Sequence, residues 1–132
     1  MTRASASAIQ IGDPLSYERA VKILQYFEGI VDQATEDELA DASALADTTG
    51  LYTCPQTGVA LGVLLKMVKR GDIDSDDQVV VISTAHGLIF TEYKIDYHQN
   101  DLRDVINRHA NSPIELPPDL DLVNEAINRS IS

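Results

Sequence analysis

The sequence predicts an α/β fold, three-layer α/β/α with mostly parallel strands, on three observations. The run Val79-Val80-Val81-Ile82 is apolar on both faces, as in a central parallel strand covered by helices on each side. It switches abruptly to Ser83-Thr84-Ala85-His86-Gly87-Leu88, and the carboxyl ends of strands are where open α/β sheets bind ligands. Helical and extended stretches also alternate along the chain.

In chain order, Asp13-Pro14 marks a turn and Ser16 caps a helix over 17–27. Its Tyr17, Ala20, Val21, Leu24 and Phe27 make one buried stripe. Gly29 ends it, and Ile30-Val31 reads as a short strand. Thr35-Glu36-Asp37-Glu38 is a capping box: the Thr35 hydroxyl accepts from the third helical amide while Glu38 reaches back. The Ala-rich helix behind it runs to about residue 47 and stops near Gly50. Leu51-Tyr52-Thr53 is extended, and Pro55 suits the first turn of a helix over 57–70. That helix is apolar nearly all round, which predicts burial. Lys66, Lys69 and Arg70 complement its C-terminal dipole, and Gly71 caps it. Residues 72–77 form a solvated acidic loop. Residues 90–97 read as an extended tail or edge strand, and 101–109 as a short helix in an irregular, proline-containing stretch. A last helix near 119–131 carries Leu120, Val123, Ile127 and Ile131 on one side. A doubly buried strand with so few neighbours makes the chain one part of a larger fold.

Composition narrows the function. With 21 acidic against 10 basic residues the net charge is −11, which argues against nucleic acid and anionic membranes as partners. A hydrophobic content of 44% suits a globular chain, and no window approaches the ~20 apolar residues of a membrane span. Met1-Thr2-Arg3-Ala4-Ser5 begins no apolar secretory stretch. Cys54 is alone, which excludes an internal disulfide and points to a reducing, cytoplasmic compartment.

Several constellations carry little. Asp72-Ile73-Asp74-Ser75-Asp76 begins like a calcium loop, but Asp77 stands where a glycine is required and Ser83 where a bidentate Glu is required. His86, His98 and His109 lack the spacing of a helix-borne metal pair, so no metal site is predicted. Cys54 ahead of Pro55 stands at a helix N-terminus, where the dipole lowers a thiol pKa, although a packed, inert cysteine is the favoured reading. A triad of Ser83, His86 and Asp96 has no nucleophile elbow to support it, and no Gly-rich phosphate loop is present.

Three blocks carry more. Ala6-Ser7-Ala8-Ile9-Gln10-Ile11-Gly12-Asp13-Pro14-Leu15-Ser16 resembles the Ala-Thr/Ser-Ala-Ile-x-Ile-Gly-x-Pro-x-Ser signature of threonine synthases. Thr53-Cys54-Pro55-Gln56-Thr57-Gly58-Val59-Ala60-Leu61 is similar to the plant-type Cys-Pro-His-Thr-Gly-Val-Ala-Leu. Ser83-Thr84-Ala85-His86-Gly87-Leu88 matches its Ser-Thr-Ala-His-Gly-Leu, and Asp96-Tyr97-His98 a motif further on. The resemblance covers residues 4–98, with Gln56 in place of the usual His and Ile89 in place of the usual Lys.

The resemblance implies a pyridoxal-phosphate enzyme of the fold shared with the tryptophan synthase β chain, fold type II. That family converts O-phosphohomoserine and water to threonine and phosphate. Residues 1–98 would be the C-terminal portion of its large catalytic domain, and 99–132 a tail of the same domain with a terminal helix. The resemblance makes Thr84 the hydroxyl that faces the pyridine nitrogen of pyridoxal 5'-phosphate. A neutral hydroxyl holds the ring without enforcing the protonated form that an Asp would favour. It puts the Schiff-base lysine and the phosphate loop upstream, so the catalytic lysine is none of Lys22, Lys66, Lys69 and Lys94. The implied partners are the remainder of the synthase chain, O-phosphohomoserine and a second copy in a homodimeric parent, in the cytoplasm or, for a plant parent, the plastid. An alternative of another class is a non-catalytic α/β module derived from the synthase and kept as a binding or assembly partner.

Overall fold

The computed structural model describes residues 6–131, and the leader-free reading of residues 1–5 lies outside them. Among the described residues the α-helices are α1 (Tyr17–Tyr26), α2 (Glu36–Asp47), α3 (Pro55–Arg70), α4 (Thr91–Gln99) and α5 (Leu120–Ile131). Short 3-10 turns form at Ser7–Ile9 and Gly87–Phe90.

Local chemistry starts and stops the central helices as the sequence predicts. The Thr35 N–H donates to Glu38 Oε2 at 2.8 Å and the Glu38 N–H to Thr35 Oγ1 at 3.2 Å, a complete capping box on α2. Cys54 caps α3 through its sulfur, Pro55 is the first residue of that helix, and Gly71 ends it. Ser16 precedes α1 without a side-chain cap bond.

The box makes α2 acid-sensitive. The Thr35 amide holds the Glu38 carboxyl below its ordinary value of 4.5, and Lys66 adds to this against partial burial. A depressed carboxylate stabilises the fold above its unfolded pKa, and that contribution is lost as pH falls through the folded pKa. Amide protection at Thr35, corrected for intrinsic exchange, is therefore expected to fall below about pH 4.5. Glu38→Gln keeps an oxygen for Thr35 and should give a level profile over the same range. Wild-type protection indifferent to acid would rule out the ionised box.

The core sits between α2, α3 and α4. A Cβ on Gly58 would stand 2.5 Å from the Leu39 carbonyl oxygen, so only glycine permits this approach of α3 to α2. Leu39, Ala40 and Ala44 of α2 join Tyr97 of α4 in one buried cluster, covered by Val59, Tyr93, Leu102 and Val105. Residues 101–110 return over α2, where the Ile106 N–H donates to Asp37 at 2.6 Å and the Arg108 guanidinium to Asp41 at 2.5 Å.

The predicted three-layer α/β/α arrangement is overturned. The described residues are 52% helix and 2% strand, and the pairing among them is an isolated antiparallel bridge, Thr53 with His86. A strand exists only with a neighbour to take its hydrogen bonds, and neither 30–31 nor 79–82 has one. Val80 is 88% and Ile82 77% exposed, so the apolar run is extended and open rather than central. Residues 90–97, read as extended, form the last 3-10 residue and most of α4, because Lys94 and Tyr97 find buried polar partners on α2. The helix predicted over 101–109 is a set of turns. Nor is α3 buried all round: Pro55, Thr57, Gly58 and Gly62 are buried, while Leu65 and Val68 are about half exposed. The α1 stripe is likewise open, with no residue of that helix buried.

Candidate functional site

The site forms where the segment entering α3 crosses the segment leading to α4. Besides the Thr53–His86 bridge, the Gly87 N–H donates to the Tyr52 carbonyl at 2.8 Å. A Cβ on Gly87 would stand 2.7 Å from the Tyr52 ring and 2.8 Å from the Thr53 oxygen, so the crossing requires a glycine. The Tyr52 and His86 rings lie 5.6 Å apart at a tilt.

This crossing gathers four small polar side chains at the α3 N-terminus. Cys54 Sγ accepts from the Thr57 N–H at 3.4 Å and lies 3.1 Å from Thr57 Oγ1 and 3.7 Å from Thr84 Oγ1. Thr57 Oγ1 is in turn 3.3 Å from Ser83 Oγ. Cys54 and Thr57 are buried, whereas Ser83 and Thr84 are exposed residues whose hydroxyls reach in to them. Burial pushes the Cys54 thiol up, but hydrogen bonds to Thr57, Thr84 and the Ala85 amide outweigh it, and its pKa is lowered. The cysteine is therefore both packed and polarised.

Behind the cluster lies a charged layer. Lys94 Nζ donates to Ser43 Oγ at 2.6 Å and to Asp47 Oδ2 at 2.5 Å, and sits 5.0 Å from the Tyr52 ring centroid. Asp47 Oδ1 accepts from the Thr53 N–H at 2.8 Å and from its hydroxyl at 3.2 Å, while Thr53 Oγ1 lies 2.7 Å from Ser43 Oγ. Burial lowers the Lys94 pKa, and Asp47 opposes that shift.

The residues singled out from sequence fall unevenly. Thr84 stands at the outer lip of the cluster, and Gln56, one residue into α3, has both amide atoms buried without a partner. Ile89 is exposed in the 3-10 turn. The imagined triad is not assembled: Ser83 pairs with Thr57, and His86 Nδ1 accepts from the Leu88 N–H at 3.2 Å. His98 Nδ1 accepts from the Asn111 N–H at 3.0 Å, and the described residues gather no group of three or more His, Cys, Asp or Glu side chains that could hold a metal. No described helix is long and apolar enough to cross a membrane. Sequence reading missed the Lys94–Asp47 pair, since nothing in a linear pattern links residues so far apart.

Comparison with known proteins bears on this cluster. The chain is 56% identical over 111 residues to threonine synthase 2, chloroplastic, of Arabidopsis thaliana, covering 84% of the chain and 22% of that protein. The chain belongs to the threonine synthase family. It is also 32% identical over 103 residues to the threonine synthase of Bacillus sp. strain ULM1, covering 77% of the chain and 29% of that synthase. The Methanocaldococcus jannaschii threonine synthase is 32% identical over 84 residues, 63% of the chain and 21% of its own length. The chain thus spans between a fifth and a third of these synthases. No family model matches it.

Proposed function

We propose that the chain is the C-terminal portion of a threonine synthase, a pyridoxal-phosphate lyase making threonine and phosphate from O-phosphohomoserine and water. Residues 1–98 would close its catalytic domain, with 99–132 as the tail. The observation that carries this reading is the 56% identity to the plant relative over 84% of the chain.

The side chains at the lip suit one end of the cofactor. Thr84 is exposed, and among the described residues its hydroxyl is engaged only by the long contact to Cys54, so it is free to donate to a neutral ring nitrogen or accept from a protonated one. Gln56 adds a buried amide with both polar atoms unpaired, a desolvation cost that a polar neighbour would relieve. Bound pyridoxal phosphate supplies the electron sink for carbanion chemistry. Thr84 would orient its ring, and the Cys54, Thr57 and Ser83 contacts would hold the segment that carries Thr84. The covalent lysine and the phosphate cradle belong, in this reading, to the rest of the synthase chain, whose parent is a homodimer. The plant relative's name supports the plastid as its compartment.

A chimera tests this. Residues 1–132 replace the matching part of the Arabidopsis relative, and threonine is measured from O-phosphohomoserine. Turnover is expected from the chimera and none from the 132-residue chain alone, which should also show no stoichiometric borohydride-stable attachment of pyridoxal phosphate. Thr84→Val in the chimera should weaken cofactor or transition-state binding by about 1–3 kcal/mol, roughly five- to 150-fold. A folded but inactive chimera, or specific labelling of one lysine in the isolated chain, would overturn the reading. Unchanged cofactor affinity and turnover in Thr84→Val would leave Thr84 a structural residue.

A further inference from the structure

We propose that Lys94 is the positioning residue of this site: its ammonium, seated between Ser43 and Asp47, holds the Asp47 carboxylate on Thr53 and so fixes the crossing of the two segments that places Thr84. The functional consequence rests on the reading of Thr84 as cofactor-facing. The mechanical claim rests on the geometry alone.

The connections are continuous. Lys94 is 3% exposed and the Asp47 side chain 11%, so each charge depends on the other in a poorly solvated setting. Asp47 spends its second oxygen on Thr53, taking both the backbone N–H and the hydroxyl. Thr53 is the residue bridged to His86, and its neighbour Tyr52 accepts from the Gly87 amide. Thr84 lies two residues before that bridge and touches Cys54, the residue after Thr53. A shift of Asp47 therefore reaches Thr84 through a single backbone crossing. The Lys94 ammonium also lies against the Tyr52 ring, so one cation holds both residues of the 52–53 pair.

The geometry separates positioning from simple core filling. Were Lys94 mere bulk, Lys94→Met would be harmless, because an apolar side chain of similar size avoids the cost of burying a charge. Were it a positioning group, the same change would strand a buried carboxylate, which must find water or a proton and so release Thr53. Asn at position 47 needs no counter-charge, and its Oδ1 still accepts from the Thr53 N–H. The second substitution should then repair much of what the first breaks.

Hydrogen exchange read by mass spectrometry on the threonine synthase chimera tests this without relying on turnover. In Lys94→Met, peptides covering 51–57 and 83–88 are expected to exchange about tenfold faster, while those of α2 (36–42) and α3 (59–66) stay within about twofold of wild type. Lys94→Met with Asp47→Asn should return the first pair most of the way. Unchanged exchange at 51–57 and 83–88 would overturn the proposal, and so would a uniform increase across all four peptides that Asp47→Asn does not reverse. Pyridoxal phosphate affinity of the Thr84→Val chimera, measured separately, fails or holds independently, so an error in the cofactor reading is distinguishable from an error here.

Discussion

Purified alone, the 132-residue chain is expected to elute as soluble oligomers and to lack a sharp cooperative unfolding transition. Its accessible surface is 10263 Å², whereas a folded monomer of 14.4 kDa should expose about 6,800 Å². The excess, about 3,400 Å², is larger than the area buried in a standard protein–protein interface. Much of it is apolar: Leu15, Tyr26, Phe27, Val80, Ile82 and Leu120 stand largely open, and neither α1 nor α5 buries a residue. The buried cluster is small, with two alanines beside Leu39 and Tyr97, and alanine burial contributes little. Residues 79–82 add unpaired backbone groups that favour association with another chain. The charge of −11 opposes precipitation, which favours soluble assemblies. Size-exclusion chromatography with near-ultraviolet circular dichroism decides: a compact monomer with one sharp transition would sink this expectation and favour a self-sufficient module.

A second large effect is expected at Asp41. Its Oδ1 accepts from the Tyr97 hydroxyl at 2.7 Å and from the Arg108 N–H at 3.2 Å, and its Oδ2 from the Arg108 guanidinium at 2.5 Å. Burial first, and the Asp41 carboxylate second, raise the Tyr97 pKa, so this tyrosine donates throughout the physiological range. Asp41→Ala leaves that hydroxyl buried without its acceptor, because Tyr97 is 2% exposed. Arg108, with its side chain 55% exposed, turns to water and contributes less. The expected loss is about 2–3 kcal/mol, a large share of the roughly 5–15 kcal/mol that stabilises a domain. Urea unfolding of the chimera, with exchange in α4 as the local reporter, measures it. Asp41→Ala with Tyr97→Phe should recover much of the loss, since the buried hydroxyl goes together with its acceptor, and the Arg108 and His109 amides that the pair also served belong to exposed residues that can turn to water. Stability of Asp41→Ala within about 0.5 kcal/mol of wild type would show that the pair holds nothing.

The family was legible because its blocks are contiguous: the Ala6–Ser16 stretch, the Cys54-Pro55 block and the Ser83–Leu88 block each stand in a row. The ends of α2 and α3 were legible for the same reason. A capping box spans four neighbouring residues, and the Thr35–Glu38 bonds form as their spacing requires. Sheet membership was not, because hydrogen-bond partners for 79–82 must come from elsewhere in space, and an apolar run states only a need for cover. Residues 90–97 show the same limit. Their alternation suits an edge strand, but Lys94 and Tyr97, three apart on one helical face, meet Asp47 and Asp41 on α2 and α4 forms instead.

The site divides along that line. Thr84 was singled out by a local motif as the expected cofactor-facing hydroxyl, and the structure sets it at the lip of the cluster beside Cys54. That Cys54 is packed at the start of α3 and yet polarised by Thr57 and Thr84 took the crossing of two segments to establish. The Lys94–Asp47–Thr53 connection was decided by tertiary structure alone. A cap is selected by neighbours along the chain, whereas this ion pair is selected by the closure of α4 on α2, which buries the Lys94 ammonium and leaves the Asp47 carboxylate little water.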